Sequence, residues 1–241
     1  SNSDILVHVK KSSDILKAKQ ANKIGIIYGF QNSAPIANDI FLVEKFFNKG
    51  LRFMQLTYNN QTPLAGGCYE KNDSGVSRFG EMVIEEMNRL GMIVDLSHAG
   101  KQTCLDAINF SKKPVAISHA NPSSFHQSIR NIDDEVLKKL ANKNGFIGLS
   151  LYPYHLKNHG DCKLEDFSEM IKQLINMIGE DSIGIGSDLC MNWPDSVVMW
   201  MRNGKWTKKI DYGESKDKNT NWPKPLSWYS KPEDLTSFVS G

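Results

Sequence analysis

The sequence predicts an all-parallel α/β fold, a (β/α)8 barrel with six of its strands visible, on three observations. Short apolar runs rich in β-branched residues alternate along the chain with segments of helical periodicity. Two of those runs, Gly91 to His98 and Pro114 to His119, end in the same dipeptide, Ser-His, and Lys101 to Lys112 between them has the composition and length of a crossover helix. No glycine-rich dinucleotide loop follows the first strand, which disfavours a doubly wound nucleotide-binding sheet.

The elements follow in order. Ser12 or Ser13 caps a short helix, Asp14 to Ala21. Lys23 to Phe30 is the first visible strand and ends at Gln31. Asp39 to Asn48 is helical, with Ile40, Val43, Phe46 and Phe47 on one face and Gly50 as its stop. Leu51 to Thr57 is the second strand, ending at Tyr58. A long loop, Asn59 to Gly75, comes next, and loops of that length in a folded domain usually carry function. Ser77 opens a helix whose stripe of Phe79, Met82, Val83, Met87 and Leu90 is core, and Gly91 ends it.

The two Ser-His runs are the third and fourth strands. Asp133 caps a helix from Glu135 to Asn142, and Gly145 to Leu151 is the fifth strand, ending near Tyr152. Glu165 to Ile178 is the clearest helix, stopped by Gly179, and Ser182 to Ser187 is the sixth strand, ending at Asp188. The strand ends therefore read Gln31, Tyr58, His98, His119, Tyr152 and Asp188. In α/β proteins the carboxyl ends of parallel strands are where chemistry is placed. Two histidines at matched positions suggest a shared site, and neutral imidazole is the commonest metal ligand.

A barrel has eight strands, so the first strands and the last helix are expected to fall outside the readable run, with the missing pair before Lys23. The whole of 1–241 reads as one barrel domain, with 189–241 as an excursion after the last strand. That excursion holds all five tryptophans, Trp193, Trp200, Trp206, Trp222 and Trp228. They are read either as a lid over the substrate or as packing, including the interface of a homodimer.

Composition excludes several classes. The net charge is +2 with both signs interspersed, so no face is basic enough to predict nucleic-acid binding. No apolar run reaches the roughly 18 residues of a membrane span, and no charged-then-apolar leader opens the chain. The four cysteines are widely spaced and lack a Cys-x-x-Cys, which fits neither a disulfide framework nor a zinc knuckle. A reducing compartment, the cytoplasm, is expected.

Several runs in their preserved order resemble the membrane (renal-type) dipeptidase family. They are Gly50 to Asn59 (GLRFMQLTYN), Glu86 to Gly91, Asp95 to His98, Pro114 to His119, Arg130-Asn131 with Asp133-Asp134, and Gly184 to Asp188. The likeness covers about Lys23 to Asp188 and is specific as a set. It implies a (β/α)8 metallohydrolase of the amidohydrolase type that cleaves dipeptides with zinc at the barrel mouth. Carried over by position, His98 and His119 match metal ligands, Asp188 the acid–base aspartate, and Arg130 the arginine that holds the substrate carboxylate.

Three departures accompany the likeness. The family's bridging glutamate falls on Gln31, whose amide oxygen is a weaker ligand than a carboxylate. Its His-x-Asp pair is absent; His159-Gly160-Asp161 has the spacing but sits in a loop after the fifth strand and is set aside. A substrate-contacting histidine falls on Tyr58, which can still donate to a developing oxyanion. The resulting expectation is a metal-dependent dipeptidase or amidase with His98, His119 and Gln31 around one or two zinc ions.

Two alternatives stay open: a binding protein on the same scaffold with one metal or none, and a single-metal amidohydrolase or lactonase. Each residue also has a plainer reading. Asp188 would be a helix cap, Arg130 a surface ion pair, Tyr58 a core aromatic, and Glu70 and Asp73 solvated loop carboxylates. Asp95 alternates away from His98 along its strand and is expected to face a helix rather than the metal.

Overall fold

The computed structural model describes residues 4–190 and 223–236. Residue contacts divide the chain into two units, Ser1–Ala116 and Ile117–Gly241.

The first unit begins with a strand that the sequence pattern did not announce. Strand β1, Leu6–His8, is followed by helix α1, Ser12–Gln20, and strand β2, Ile24–Ile26, and the two strands pair in parallel as a small sheet of their own. Helix α1 starts earlier than expected. Its N-terminus is held by Asp14, which accepts from the Lys10 and Lys11 amides at 3.0 and 3.1 Å.

The expected first strand, Lys23 to Phe30, is two strands. It breaks at Ile27, and β3, Tyr28–Phe30, joins a different sheet. Gly25 has no Cβ, and one built there would stand 2.9 Å from Val9 Cγ2, so the glycine lets the β1 side approach closely. The described residues thus contain eight short strands where six were expected.

Helix α2, Phe41–Asn48, leads to β4, Leu51–Gln55; α3, Arg78–Leu90, leads to β5, Ile93–Asp95; and α4, Lys101–Phe110, leads to β6, Ala116–Ala120. Strand β4 pairs in parallel with β3 on one side and β5 on the other, and Asp95 of β5 faces Ala116. Helix α3 shows why these spans form. Ser77 Oγ accepts from the Gly80 amide at 2.9 Å and donates to the Pro63 carbonyl at 2.6 Å. Val83, Ile84 and Met87 are fully buried. Gly91 ends the helix with φ +78, a left-handed turn that suits glycine. The core of this unit also holds Met54, Leu56, Val94 and Leu96.

The second unit carries the rest of β6, then α5, Asp134–Asn142, β7, Phe146–Leu149, α6, Leu164–Ile178, and β8, Ile183–Ile185. Asp133 caps α5 by accepting from the Glu135 amide at 2.9 Å. The strand order is β6-β7-β8, with β7 and β8 parallel in the register Ile147↔Ile183 and Leu149↔Ile185. In the larger sheet, strands consecutive in sequence are neighbours, β3 to β6 in the first unit and β6 to β8 in the second. A doubly wound sheet would reverse direction at a switch point, and neither unit contains one. The core here is Ile117, Val136, Leu137, Leu140, Ile147, Leu149, Phe167, Met170 and Leu174.

Trp193, Trp200, Trp206 and Trp222 lie outside the described residues. Trp228 is described and takes the packing role. Its ring lies 5.4 Å from that of Phe167 on α6, and its indole N–H donates to the Cys162 carbonyl at 2.8 Å. Among the described residues no helix is long and apolar enough to cross a membrane, and all four cysteines are free thiols.

Candidate active site

In the first unit, β4 and β5 run in parallel, so their extensions emerge on the same side. The extension of β4 carries Leu56, Thr57, Tyr58 and Asn59; that of β5 carries Leu96, Ser97 and His98. Tyr58 stacks on His98, with ring centroids 4.0 Å apart and an interplanar angle of 26°. Asn59 adopts a left-handed backbone, φ +63, and its Oδ1 meets His98 Nδ1 at 2.6 Å. A carbonyl oxygen only accepts, so Nδ1 carries a proton, and in the neutral ring Nε2 then holds the lone pair. That tautomer is the one a metal-ligating imidazole needs when it binds through Nε2.

The long loop is built against this pair. A Cβ on Gly67 would stand 2.0 Å from the Asn59 carbonyl oxygen, which explains the glycine. The Cys68 amide donates to the His98 carbonyl at 3.0 Å and the Tyr69 amide to that of Asn59 at 2.9 Å. Of the two loop carboxylates, Glu70 closes the loop on itself and Asp73 fastens it to helix α4. Glu70 accepts from the Gln61 amide at 2.6 Å, and Asp73 accepts from Thr103 Oγ1 at 2.6 Å and its amide at 2.9 Å.

Asp95 is buried and bonded sideways. It accepts from Gln55 Nε2, its partner in register on β4, at 3.1 Å, and from Ser97 Oγ at 2.6 Å. Gln31 follows the end of β3 and is exposed, and among the described residues no hydrogen bond involves its side chain.

The second unit brings three of the expected residues together. His119, on β6, is buried, and its Nδ1 lies 2.8 Å from Ser118 Oγ. Arg130 is only 3% exposed, which removes the surface ion-pair reading, and its Nη2 donates to the His119 carbonyl at 3.5 Å. Asp188 follows β8 in a left-handed backbone, φ +52, so it is not a helix cap. Withdrawal from water pushes its carboxyl above the ordinary carboxylate range. The positive charges of His119 and Arg130 pull the other way and offset only part of that rise.

Around them runs a polar scaffold that sequence reasoning missed. Asn121, fully buried, donates its two Nδ2 protons to the Ser150 and His155 carbonyls at 3.0 and 3.1 Å, and its Oδ1 accepts from the Ser150 amide at 3.1 Å. His155 is fully buried with Nδ1 2.8 Å from Ser150 Oγ. Its pKa falls well below the usual imidazole value, chiefly through desolvation and then through the positive charge of Arg130. His159 is exposed and lies against His126 and Tyr154, and Asp161 pairs with Lys224. The His-x-Asp spacing at 159–161 therefore serves the surface of this unit.

The sequence profile of the membrane dipeptidase family, peptidase family M19, matches residues 1–196. The chain belongs to this family. An uncharacterized dipeptidase of Schizosaccharomyces pombe is 31% identical over 190 residues, which cover 76% of this chain and 46% of the relative. The chain thus spans about half the length of that curated relative.

Among solved structures, an amidohydrolase from Pseudomonas aeruginosa superposes with a TM-score of 0.91 at 35% identity, over 99% of this chain and 71% of that one. A metallopeptidase from Rhodobacter sphaeroides, liganded with a phosphinate mimic of the dipeptide L-Ala-D-Ala, gives 0.78 at 18% identity, over 98% and 61%. At that identity the likeness is one of fold. These likenesses support the parallel α/β architecture read from the sequence.

For a member of the dipeptidase family the metal question is one of donor chemistry. Zinc takes about four N, O or S ligands. His98 and His119 are of the right kind, and each has its Nδ1 engaged by an oxygen, as oriented histidine ligands do. Among the described residues no group of three or more His, Cys, Asp or Glu could hold a metal ion. Each of these two histidines therefore fits zinc in kind. The motif had passed over Asn59, although it stands inside the GLRFMQLTYN run; its signal was an asparagine directly after a strand end.

Proposed function

We propose that the protein is a metal-dependent hydrolase that cleaves the amide bond of dipeptides or similar small amides. The observation that carries this reading is the grouping of Asp188, Arg130 and His119. A desolvated carboxyl, a buried guanidinium and a strand-end imidazole act on one another there. Family membership supports the reaction class.

In this reading His98 and His119 hold a divalent ion, zinc, with the Gln31 amide as a third, weaker donor. When bound, such an ion acidifies a water and polarises the scissile carbonyl. Asp188 takes the proton of the attacking water and returns it to the leaving amine, a task suited to a carboxyl held above the ordinary carboxylate range. The planar Arg130 fork binds the substrate carboxylate. Tyr58, held by stacking, donates its phenol proton to the developing oxyanion.

Metal content and turnover test this together. Purified full-length protein is analysed for zinc and assayed on a dipeptide panel, with His119→Ala as control. Dipeptide hydrolysis that falls with chelation and is lost in the variant supports the proposal. Undiminished turnover in His119→Ala, or full activity without metal, refutes it. A second reading, a ligand-binding protein that does not turn over, is favoured by the incomplete donor group among the described residues. It predicts dipeptide binding with no product.

A further inference from the structure

A cavity of about 300 Å³ opens beside Asp188, wholly within the second unit. Its walls come from the loops after β7 and β8 and from the segment 223–230. Leu151, Pro153, Leu189, Pro225, Leu226 and Tyr229 give those walls their apolar character. Among the described residues Asp188 is the one carboxylate in the lining, which includes no lysine, arginine or histidine. The volume is at the low end of the roughly 300–1,000 Å³ typical of small-molecule sites. It suits one side chain with its flanking backbone, not a long peptide.

We propose that this cavity receives an apolar side chain of the substrate and that Leu226 and Tyr229 set that preference. The proposal rests on the hydrolase reading above and names the substrate class for it. An acidic side chain entering here would face Asp188 and find no cation among the described lining residues. A basic one would give up its water against proline and leucine, facing a carboxylate that already stands within the field of His119 and Arg130.

The 223–230 wall is braced from behind. Trp228 is anchored to Cys162 and Phe167, and Lys224 pairs with Asp161. Gly160 has no Cβ, which would otherwise stand 2.4 Å from the Lys224 carbonyl oxygen, so the segment lies close against the turn at 159–161. Pro223 and Pro225 fix their own φ. Leu226 and Tyr229 face each other in an antiparallel bridge and are 2% and 6% exposed. A wall fixed in this way discriminates by shape at no cost of ordering. It lies beyond residues 1–196, so the family profile does not account for it.

The test uses the full-length protein and two dipeptide series, Xaa-Ala and Ala-Xaa, with Xaa as Gly, Ala, Leu, Phe, Glu or Lys. In one series kcat/KM should rise roughly 10- to 100-fold from Gly to Leu, with Glu lowest. Leu226→Ala should move that optimum from Leu toward Phe. Leu226→Val, a milder change whose folding is checked by thermal melt, should move it the same way by less. Turnover that is flat in both series, or an order of preference unmoved by folded Leu226 variants, overturns the pocket assignment and leaves the hydrolase reading standing. Absence of turnover on every dipeptide overturns the hydrolase reading, and the pocket assignment with it.

Discussion

Asn121 offers the sharpest test of what holds the candidate site together. Its amide uses both protons and its oxygen on the Ser150 carbonyl, the His155 carbonyl and the Ser150 amide, with no exposure to water. Asn121→Ala deletes all three bonds, yet the losses are unequal. The His155 carbonyl keeps Asn131 Nδ2 at 3.0 Å, and the Ser150 amide keeps the Ala120 carbonyl at 3.2 Å. Only the Ser150 carbonyl is left needing a new partner.

One stranded buried acceptor costs about 1–3 kcal/mol, and two weakened bonds add about 0.5 kcal/mol each, so the expected loss is about 2–4 kcal/mol. Urea unfolding of the wild type and the variant, at a common m-value, measures it. Asn121→Asp is the discriminating control. It preserves size and the acceptor but sets a carboxylate against two carbonyl oxygens, so it should be at least as destabilising as alanine. An alanine variant within about 1 kcal/mol of wild type, or an aspartate variant as stable as asparagine, would show that the donated bonds are not what ties β6 to the loop after β7.

Acid should weaken the fold before ordinary carboxylates titrate. His155 and His126 have folded pKa values depressed by desolvation, below an unfolded value near 6.5. Their stabilisation is complete above that value and is lost as pH falls toward the folded pKa, by up to about 1.4 kcal/mol per pH unit for the buried His155 and by less for the part-exposed His126, which water screens. Thermal melts should be level from about pH 8 to 7 and drop steadily below about 6.5. His155→Gln should flatten the drop, and an unchanged profile there would disprove the assignment. Asp188 shifts in the opposite sense and tempers the effect. At the other strand end, Asn59→Ala should weaken zinc binding by roughly 10- to 100-fold in a chelator competition, because His98 loses the acceptor on Nδ1. Asn59→Gly keeps the left-handed backbone without the acceptor. If glycine binds zinc as well as asparagine, the acceptor is not what orients His98.

The helices were legible because their signals are local. The stripe of Val83 and Met87, capped by Ser77 and stopped by Gly91, lies within one short stretch of chain. The strand-end residues were legible because parallel strands place their ends alike. Strand β1 was not, since Leu6-Val7-His8 is too short to show a period, and the break at Ile27 was not, since Ile24 to Phe30 reads as one apolar run and only the pairing partners separate β2 from β3. The supporting asparagines were hidden for a related reason. Asn59 acts on a residue 39 positions away, and Asn121 on residues 29 and 34 away. An amide has no spacing rule that reveals such partners, whereas apolar residues repeat.

Backbone conformation links these hidden residues to the proposed chemistry. Among the described residues, most of the positive-φ residues other than glycine are asparagines, a type that tolerates the left-handed region well. Two of the positive-φ residues stand just past strand ends, Asn59 after β4 and Asp188 after β8. There the chain turns sharply, and its polar side chain meets an imidazole in one case and the field of an imidazole and a guanidinium in the other. A strained conformation costs of order 1 kcal/mol and persists only where its surroundings hold it. Helix stops such as Gly91 use glycine for the same turn because nothing is required of the side chain. At Asn59 and Asp188 glycine would relieve the strain but remove the group, so the strain is explained by what the side chain does.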